Sequence, residues 1–264
     1  MKRAALPRFR LLVAVVLASG AALLGCDKSA PTALKPSTTK PTADNVDRAI
    51  TPRKLTVGDV EAQVFRFALA RTRITLDDLG MSHNLAGARI RANAQLAVNG
   101  AFFDPANRAE GLAITDGREL APLDRALSGG VLVIDGGKGE LFESESFVPR
   151  LTPPRFALQC RPRLVVDQKR NISRDDSKRA ARTALCLREK GHVLDVIIAR
   201  SGGVAGEDGP TLFALAEALT KDGCDDALNL DGGPSTGSSY RDAAGDHDAP
   251  PARKVRHAVL FGPR

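Results

Sequence analysis

Residues 227–236 read Ala-Leu-Asn-Leu-Asp-Gly-Gly-Pro-Ser-Thr, a short apolar run followed by a carboxylate, two glycines, a proline and two hydroxyls. The apolar run predicts a buried strand that carries Asp231 to its end. The glycines would turn the backbone tightly there and leave space for a ligand to approach. Asp-Gly is also among the commonest turn signals, so a plain turn without function is the alternative interpretation.

A second segment repeats this pattern. Residues 98–104, Val-Asn-Gly-Ala-Phe-Phe-Asp, follow apolar residues and place Asn99 and Gly100 at the end of a strand predicted over residues 95–103. Asp-Gly turns at residues 116–117 and 135–137 predict two further hairpins.

Most of the remaining domain predicts short strands. Residues 60–69 and 74–79 indicate a hairpin or meander. Residues 84–93 indicate a short helix or a turn. Further strands are predicted at residues 163–166, 182–187, 193–199 and 257–261.

One helix is clear, because apolar residues recur at helical spacing from Leu212 to Leu219. Thr211 or Asp208 would cap its start and Gly223 would end it. We therefore predict an α+β class: a strand-rich single domain with a mixed sheet and few helices.

The first 25 residues have the pattern of a signal peptide. Four basic residues precede an apolar stretch, residues 11–24, that is too short to span a bilayer. The stretch ends in Leu-Leu-Gly-Cys and resembles a bacterial lipobox, in which Cys26 would be lipidated. An ordinary secretory signal followed by a coincidental cysteine is the alternative.

Residues 26–53 are rich in Pro, Thr, Ser and Lys and predict a disordered tether, which leaves residues 54–264 as one domain. The predicted protein is anchored to a membrane by lipid in the bacterial cell envelope, facing the periplasm or the exterior.

The charge of the chain does not indicate a nucleic acid partner. Its 38 Lys and Arg against 31 Asp and Glu give a formal net charge of +7, and four of these positive charges lie in the signal peptide. Aromatic residues make up only 4% of the chain, so stacking surfaces for bases are not expected.

Three cysteines remain in the exported chain, which suggests one disulfide and one leftover thiol. If the strand after Cys160 paired with the strand that contains Cys186, the two sulfurs could meet. Cys160–Cys186 is therefore the predicted disulfide. No Cys and His cluster has the spacing of a zinc site.

Several further motifs accompany the two strand ends, and together they identify a family. They are Gly111-Leu112 at the start of a strand, Gln159 followed by Pro162-Arg163-Leu164-Val165, and Arg182-Thr183-Ala184. With residues 99–103 and 229–236, in this order, they resemble the phosphodiester glycosidase family over about residues 58 to 262. The resemblance implies an α+β fold, hydrolysis of a sugar phosphodiester and, for many bacterial members, export.

The resemblance places the polar residues of the family on Asn99, Arg182 and Asp231. Three positions depart from the family pattern: Ala101 and Pro234 replace glycines of the two strand-end motifs, and Arg161 stands where a glycine often precedes Pro162. These departures are expected to affect substrate fit more than activity.

The predicted chemistry follows from the leaving group. A departing phosphate monoester is a weak base, so the enzyme chiefly has to stabilise oxocarbenium-like charge and supply a nucleophile or base, the role predicted for Asp231. Arg182 would bind the phosphate through its guanidinium. Asn99 would read a sugar hydroxyl or hold Asp231 in place.

The predicted catalytic residues are thus Asp231, Arg182 and Asn99. The predicted substrate-binding groups are of four kinds. They are backbone amides and hydroxyls of the turn, a ring that faces the sugar, a second carboxylate and a further side-chain amide. These substrate-binding residues are Gly100, Phe102, Glu110, Gln159, Gly232, Gly233, Ser235 and Thr236.

Two other functions remain open at this level. A catalytically silent relative would hold anionic glycan at the membrane, as Ala101 and Pro234 suggest, and a metal-dependent phosphodiesterase would break P–O instead of C–O. No metal ligand is assigned, no cofactor is predicted as required, and a divalent metal ion is left open. The predicted partners are a carbohydrate phosphodiester and a membrane.

Overall fold

A computed structural model of the protein describes residues 49–201 and 208–264. The predicted signal peptide, the lipidation site Cys26 and most of the predicted tether lie outside these residues. The strands are β1 (Arg53–Val57), β2 (Val60–Ala68), β3 (Thr72–Ser82), β4 (Leu96–Asn99), β5 (Ala113–Thr115), β6 (Arg118–Ala121), β7 (Gly130–Asp135), β8 (Lys138–Glu143), β9 (Phe156–Cys160), β10 (Arg163–Val166), β11 (Lys169–Arg170), β12 (Arg182–Arg188), β13 (Val193–Ala199), β14 (Asp226–Asn229), β15 (Ser238–Asp242), β16 (Gly245–Ala249) and β17 (Val255–Pro263). The helices are α1 (Leu85–Arg91) and α2 (Leu212–Lys221), with short 3₁₀ turns at Glu189–Gly191 and Gly233–Ser235.

The strands form three sheets. The first has the order β1-β2-β13-β12-β14-β10-β11, the second β16-β15-β4-β17-β3 and the third β6-β5-β9-β7-β8. Neighbouring strands in all three run antiparallel. The strand-rich α+β class is confirmed, but the sheets are antiparallel and not mixed.

The main core lies among the three sheets. Alternating side chains of β2 point into it, and its Phe67 stacks on Phe261 of the second sheet with ring centroids 4.9 Å apart. Phe65 meets Tyr240 edge-on at the same distance, and Phe156 brings the third sheet into the same cluster. Burial of these rings supplies much of the energy that holds the sheets together.

Helix α2 covers the outer face of the first sheet. Its Leu215, Ala216 and Leu219 are buried against that sheet, as their helical spacing predicts. The Thr211 hydroxyl accepts a hydrogen bond from the Ala214 N–H at 3.1 Å and caps the helix. Neither helix in the described ranges is long and apolar enough to cross a membrane.

The hairpins signalled by Asp-Gly turns are confirmed as β5–β6 and β7–β8. The proposed pairing of residues 60–69 with 74–79 is wrong, because β2 pairs with β1 and β13 while β3 pairs with β17. Apolar alternation shows that a segment is a strand, but it does not say which strand lies beside it.

The disulfide prediction is also wrong. Cys186 bonds with Cys224, and Cys160 is a free, buried thiol. The prediction required β10 to pair with β12, but β14 lies between these strands. Cys160 ends β9 of the third sheet, where burial raises the pKa of its thiol to about 12.

The folded domain begins slightly before residue 54. The Ile50 N–H donates a hydrogen bond to the Arg241 carbonyl at 2.7 Å, and Arg53 opens β1. Arg53 also lies 3.3 Å from the buried carboxylate of Asp195. Residues 50–53, assigned to the tether by composition, are therefore part of the domain.

Candidate active site

Asp231 lies where the ends of β14 and β4 meet. The Leu230 N–H donates to the Thr183 carbonyl at 2.8 Å and so extends the pairing of β14 one residue past its end. The chain then turns sharply, with Gly233 at a φ of +57°. A Cβ on Gly232 would lie 2.8 Å from the Ala181 carbonyl oxygen, so this position has no room for a side chain.

Asn99 fixes the main chain at this junction. Its side-chain N–H donates to the Asp231 carbonyl at 2.6 Å, and its Oδ1 accepts from the Thr183 hydroxyl at 2.7 Å and from the Gly237 N–H at 3.3 Å. The side chain is fully buried. Asn99 therefore bonds to the main chain of Asp231, as one of its two predicted roles requires, and its side chain does not line the cleft.

Gly100 serves packing and not substrate binding. It is buried, and a Cβ there would lie 2.8 Å from the His257 Cβ. Its carbonyl accepts the Asp231 N–H at 3.3 Å. The glycine therefore lets β17 approach the end of β4, and its assignment to substrate contact is corrected.

The carboxylate of Asp231 is half-buried, and its environment changes its acidity. Burial raises its pKa, and the nearby Glu110 carboxylate adds to this effect. The Ser235 hydroxyl, the Gly232 N–H at 2.8 Å and the positive charge of Arg253 oppose the rise. Among the described residues Ser235 Oγ is buried without a hydrogen bond of standard geometry, so the Gly232 N–H is the stronger partner of the carboxylate. The net result is a carboxylate that is more basic than an ordinary aspartate.

Asp231 faces a cleft of about 560 Å³, a volume within the usual range of ligand sites. All three sheets contribute to its wall. Asp231 comes from the turn after β14, Arg182 starts β12, and Arg161 follows β9 of the third sheet. Phe102, from the segment after β4, forms another part of the wall, as predicted.

Arg182 presents a cation to this cleft. Its guanidinium donates to the carbonyls of Pro210 at 3.2 Å and Lys178 at 2.8 Å. Burial lowers its pKa, and the Asp176 carboxylate acts in the opposite direction. Within residues 49–201 and 208–264 no carboxylate forms an ion pair with it, so its charge is available to an anion. Arg182 and Asp231 therefore line the same cleft.

Two further arginines of the cleft were not predicted as site residues. Arg163 pairs with Glu143 at 2.7 Å, which neutralises it. Arg161 is exposed and lies over the Phe102 ring, 5.7 Å from its centroid. In the sequence, Arg161 stands out only because it departs from the family pattern. That departure is the feature from which its place in the cleft could have been predicted.

Asn229 was also missed, although it belongs to the quoted strand-end motif. It lines the cleft and donates to the carbonyls of Arg161 at 3.0 Å and Leu230 at 2.6 Å. Its own Oδ1 is buried and, among the described residues, has no hydrogen-bond partner. Asn229 thus ties the Arg161 segment to the end of β14.

The backbone amides of the turn after Asp231, predicted as substrate donors, bond within the protein. The Gly232 N–H donates to the Asp231 carboxylate and the Gly233 N–H donates to the Ala181 carbonyl at 2.7 Å. The amides of Ser235 and Thr236 close the 3₁₀ turn by bonding to Gly232 and Gly233. Because the turn uses these donors itself, they are not available to an anion in the cleft. The hydroxyls of Ser235 and Thr236 are buried, and neither residue lines the cleft.

Gln159 is a structural residue. Its Oε1 accepts from the amides of Leu112 and Asp124, and its Nε2 donates to the carbonyls of Asp124 and Leu127, all within 3.0 Å. The side chain is fully buried, so its prediction as a substrate-binding residue is wrong.

Glu110 lies outside the cleft. It lines a second cavity of about 720 Å³ together with His257, and it acts on Asp231 through its charge. Glu110 was predicted to contact the substrate, but it does not line the cleft that contains Asp231.

A metal centre is not evident. In the part of the chain that the structure describes, no group of three or more His, Cys, Asp or Glu side chains could hold a metal ion. The cleft itself offers one half-buried carboxylate, Asp231, besides the exposed Glu143 and Glu145.

Comparisons with solved structures show a shared fold. The catalytic domain of zebrafish N-acetylglucosamine-1-phosphodiester alpha-N-acetylglucosaminidase, auto-inhibited by its pro-peptide, superposes with a TM-score of 0.58 at 16% identity over 81% of this chain and 82% of that one. A hypothetical protein from Synechocystis gives 0.55 at 13% identity over 81% of this chain, which spans only 62% of that protein. A Burkholderia pseudomallei protein provisionally named as exported gives 0.53 at 14% identity, over 77% and 74%.

Sequence comparison adds the family. A search among curated proteins found none with significant similarity to this chain. The sequence model of the phosphodiester glycosidases, however, matches residues 92–261, about two thirds of the chain and all of the cleft residues described above. The chain therefore belongs to the phosphodiester glycosidase family.

Proposed function

We propose that this protein hydrolyses the bond between the anomeric carbon and the phosphate oxygen of a sugar 1-phosphodiester. The observation that supports this function best is the shared cleft of Asp231 and Arg182. One is a carboxylate whose pKa burial raises, and the other is a guanidinium whose charge no described carboxylate neutralises.

The two side chains match the two demands of the reaction. Arg182 would bind the phosphate, and its bonds to two carbonyls would hold the guanidinium in a fixed orientation. Asp231 would stabilise the positive charge that develops at the anomeric carbon. It would then either attack that carbon or deprotonate a water that does so. Direct attack predicts retention of the anomeric configuration, whereas activation of water predicts inversion.

The decisive experiment is sugar release from a synthetic N-acetylglucosaminyl phosphodiester, with wild type compared with Asp231→Asn. We expect the substitution to lower kcat by about 100-fold or more, because it removes the reactive carboxylate. It leaves the main-chain bonds that position residue 231 in place.

The chain offers a matched control in Asp135→Asn. Residues 135–137 are also Asp-Gly-Gly, and the Gly136 N–H donates to the Asp135 carboxylate at 3.0 Å, as Gly232 does to Asp231. Asp135 is exposed and outside the cleft, so its variant should retain full activity. Equal activity of both variants would show that Asp231 is a turn residue only.

The same assay separates the other functions. A non-catalytic glycan-binding protein would bind the phosphodiester without releasing sugar. A metal-dependent phosphodiesterase would place oxygen from labelled water in the phosphate and would stop with a chelator, whereas the proposed reaction places the label in the sugar.

We also propose that the protein is exported and anchored in the cell envelope through a lipid on Cys26. The support is the signal-like sequence of residues 1–25 and the position of Cys26 directly after it. Cys26→Ser should move the protein from the membrane fraction to the soluble fraction. Unchanged membrane association would contradict lipidation.

A further inference from the structure

We propose that Arg161 binds a second phosphate, and that the substrate of the cleft is a sugar 1-diphosphate diester whose leaving group is a diphosphate ester. This inference rests on the proposed hydrolysis of a sugar phosphodiester and specifies its substrate class. It assigns a specificity role to a residue that the family pattern does not provide.

The cleft contains two arginine charges that no described carboxylate pairs with. Three arginines line the cleft, and Glu143 neutralises one of them, Arg163. Arg182 and Arg161 form no ion pair with any described residue. A sugar monophosphate diester carries one negative charge, which Arg182 alone would match. A diphosphate diester carries two, one for each available guanidinium.

Arg161 is restrained in position by two contacts. Its guanidinium lies over the Phe102 ring, so the ring limits the directions that the side chain can take. Its carbonyl accepts the Asn229 amide at 3.0 Å, which ties its backbone to the strand end that carries Asp231. The exposed Arg161 side chain and Asp231 therefore line the same cleft, and their two segments are joined through Asn229.

The backbone amides next to Asp231 are already used within the protein. The amides of the turn after Asp231 bond within the protein, so a second phosphate would have no contact with them. An arginine side chain, which offers several donors in a fixed plane, can supply the contacts that these amides do not. Glu145, at the exposed edge of the cleft, is too solvated to cancel this charge.

The reaction balances without a further reactant. Water supplies the oxygen that bonds to the anomeric carbon, and the bond from that carbon to the bridging oxygen breaks. The electron pair leaves with the diphosphate ester, and the remaining proton of the water goes to Asp231 or to solvent. The P–O–P linkage stays intact, so the products are a free sugar and a diphosphate monoester.

The test compares two synthetic substrates that share N-acetylglucosamine and one alkyl group and differ only in a mono- or diphosphate bridge. We expect wild type to prefer the diphosphate by about 10- to 100-fold in kcat/KM, as one additional charge-assisted contact implies. Arg161→Gln should remove most of this preference and change turnover of the monophosphate by less than about threefold, and Arg161→Lys should fall between the two. The control is Arg170→Gln, because Arg170 also lies over a phenylalanine, Phe213, but outside the cleft.

A binding measurement keeps the test independent of turnover. By calorimetry, inorganic pyrophosphate should bind wild type more tightly than inorganic phosphate does, and Arg161→Gln should abolish the difference. Hydrolysis of both substrates at equal efficiency, with Arg161→Gln neutral, would overturn this inference and leave the proposed function intact. Failure to hydrolyse either substrate would instead count against the proposed function. In that case, equal affinity for the two inorganic anions would overturn the role of Arg161 as well.

Discussion

The bonds of Asn99 predict that Asn99→Ala acts on stability and catalysis together. The substitution leaves three buried groups without their partner: the Asp231 carbonyl, the Thr183 hydroxyl and the Gly237 N–H. A buried group left unsatisfied costs about 1 to 3 kcal/mol. The bonds at 2.6 and 2.7 Å carry most of the effect, so we expect a loss of about 4 kcal/mol in the free energy of unfolding.

The consequence for catalysis is separate. Without the bond from Asn99, the Asp231 backbone can move, and a displacement of about 1 Å at a reacting group can lower turnover by about 100-fold. The expected signature is a decrease in kcat with little change in KM. If Asn99 contacted the sugar instead, its removal would raise KM and leave stability unchanged.

Thermal and urea unfolding, followed by circular dichroism, measure the first effect. For a domain of this size, 4 kcal/mol corresponds to a decrease in Tm of about 8 to 16 °C. Asn171→Ala is the stability control, because the exposed Asn171 donates a single bond to the Arg163 carbonyl, and we expect a change of about 0.5 kcal/mol or less.

A milder variant covers the case in which Asn99→Ala does not fold. Thr183→Val removes only the hydroxyl that donates to Asn99 and should cost about 1 to 2 kcal/mol. A Tm within 1 °C of wild type for both variants would refute the positioning role.

Four further predictions concern charge and the disulfide. Because burial raises the pKa of Asp231, the acidic limb of the pH–rate profile should lie above that of an ordinary aspartate, and activity should rise as this group loses its proton. For the same reason Asp231→Asn should raise Tm at pH 7 and lose this advantage at acidic pH, where the wild-type carboxyl is protonated. Opening the bond between Cys186 and Cys224, which are 38 residues apart, should cost about 4 kcal/mol, and reductant should lower Tm equally in wild type and Cys160→Ala. Asp195→Asn should cost about 3 kcal/mol, because the fully buried carboxylate pairs with three arginines. Burial raises the pKa of Asp195, but Arg66 and Arg188 lower it by more, so the net shift is downward. The contribution of Asp195 to stability is therefore present above an ordinary aspartate pKa and is lost as pH falls through the lowered value.

The sequence predicted the local features whose causes are local. The Asp-Gly turns, the Thr211 cap and the delivery of Asp231 to a strand end each depend on residues within a few positions of one another, and the structure contains all of them. The meeting of Asp231 with Arg182 was predicted only through the family resemblance, because no local pattern connects the two segments.

The errors share one cause. The partner of Cys186, the neighbours of β2 and the role of Gln159 all depend on which strands become adjacent, and short apolar strands carry little information about that choice. Asn99 illustrates the same limit. Its amide could read a sugar or hold a backbone, and only the proximity of Thr183 and Asp231 decides between them.

The cleft separates the groups that build it from the groups that select a ligand. The amides of the turn after Asp231 bond within the protein, and Asn99 and Asn229 bind main-chain carbonyls. These bonds, the frame of the cleft, form without a substrate. Side chains such as Arg161 remain available to a ligand, because its guanidinium lies over the Phe102 ring and forms no ion pair within the described residues. Exchange of such a side chain alters the charge of the cleft without breaking a bond of the frame. A single replacement at residue 161 is therefore expected to change which ligand the cleft selects, while the main-chain bonds that hold Asp231 stay intact.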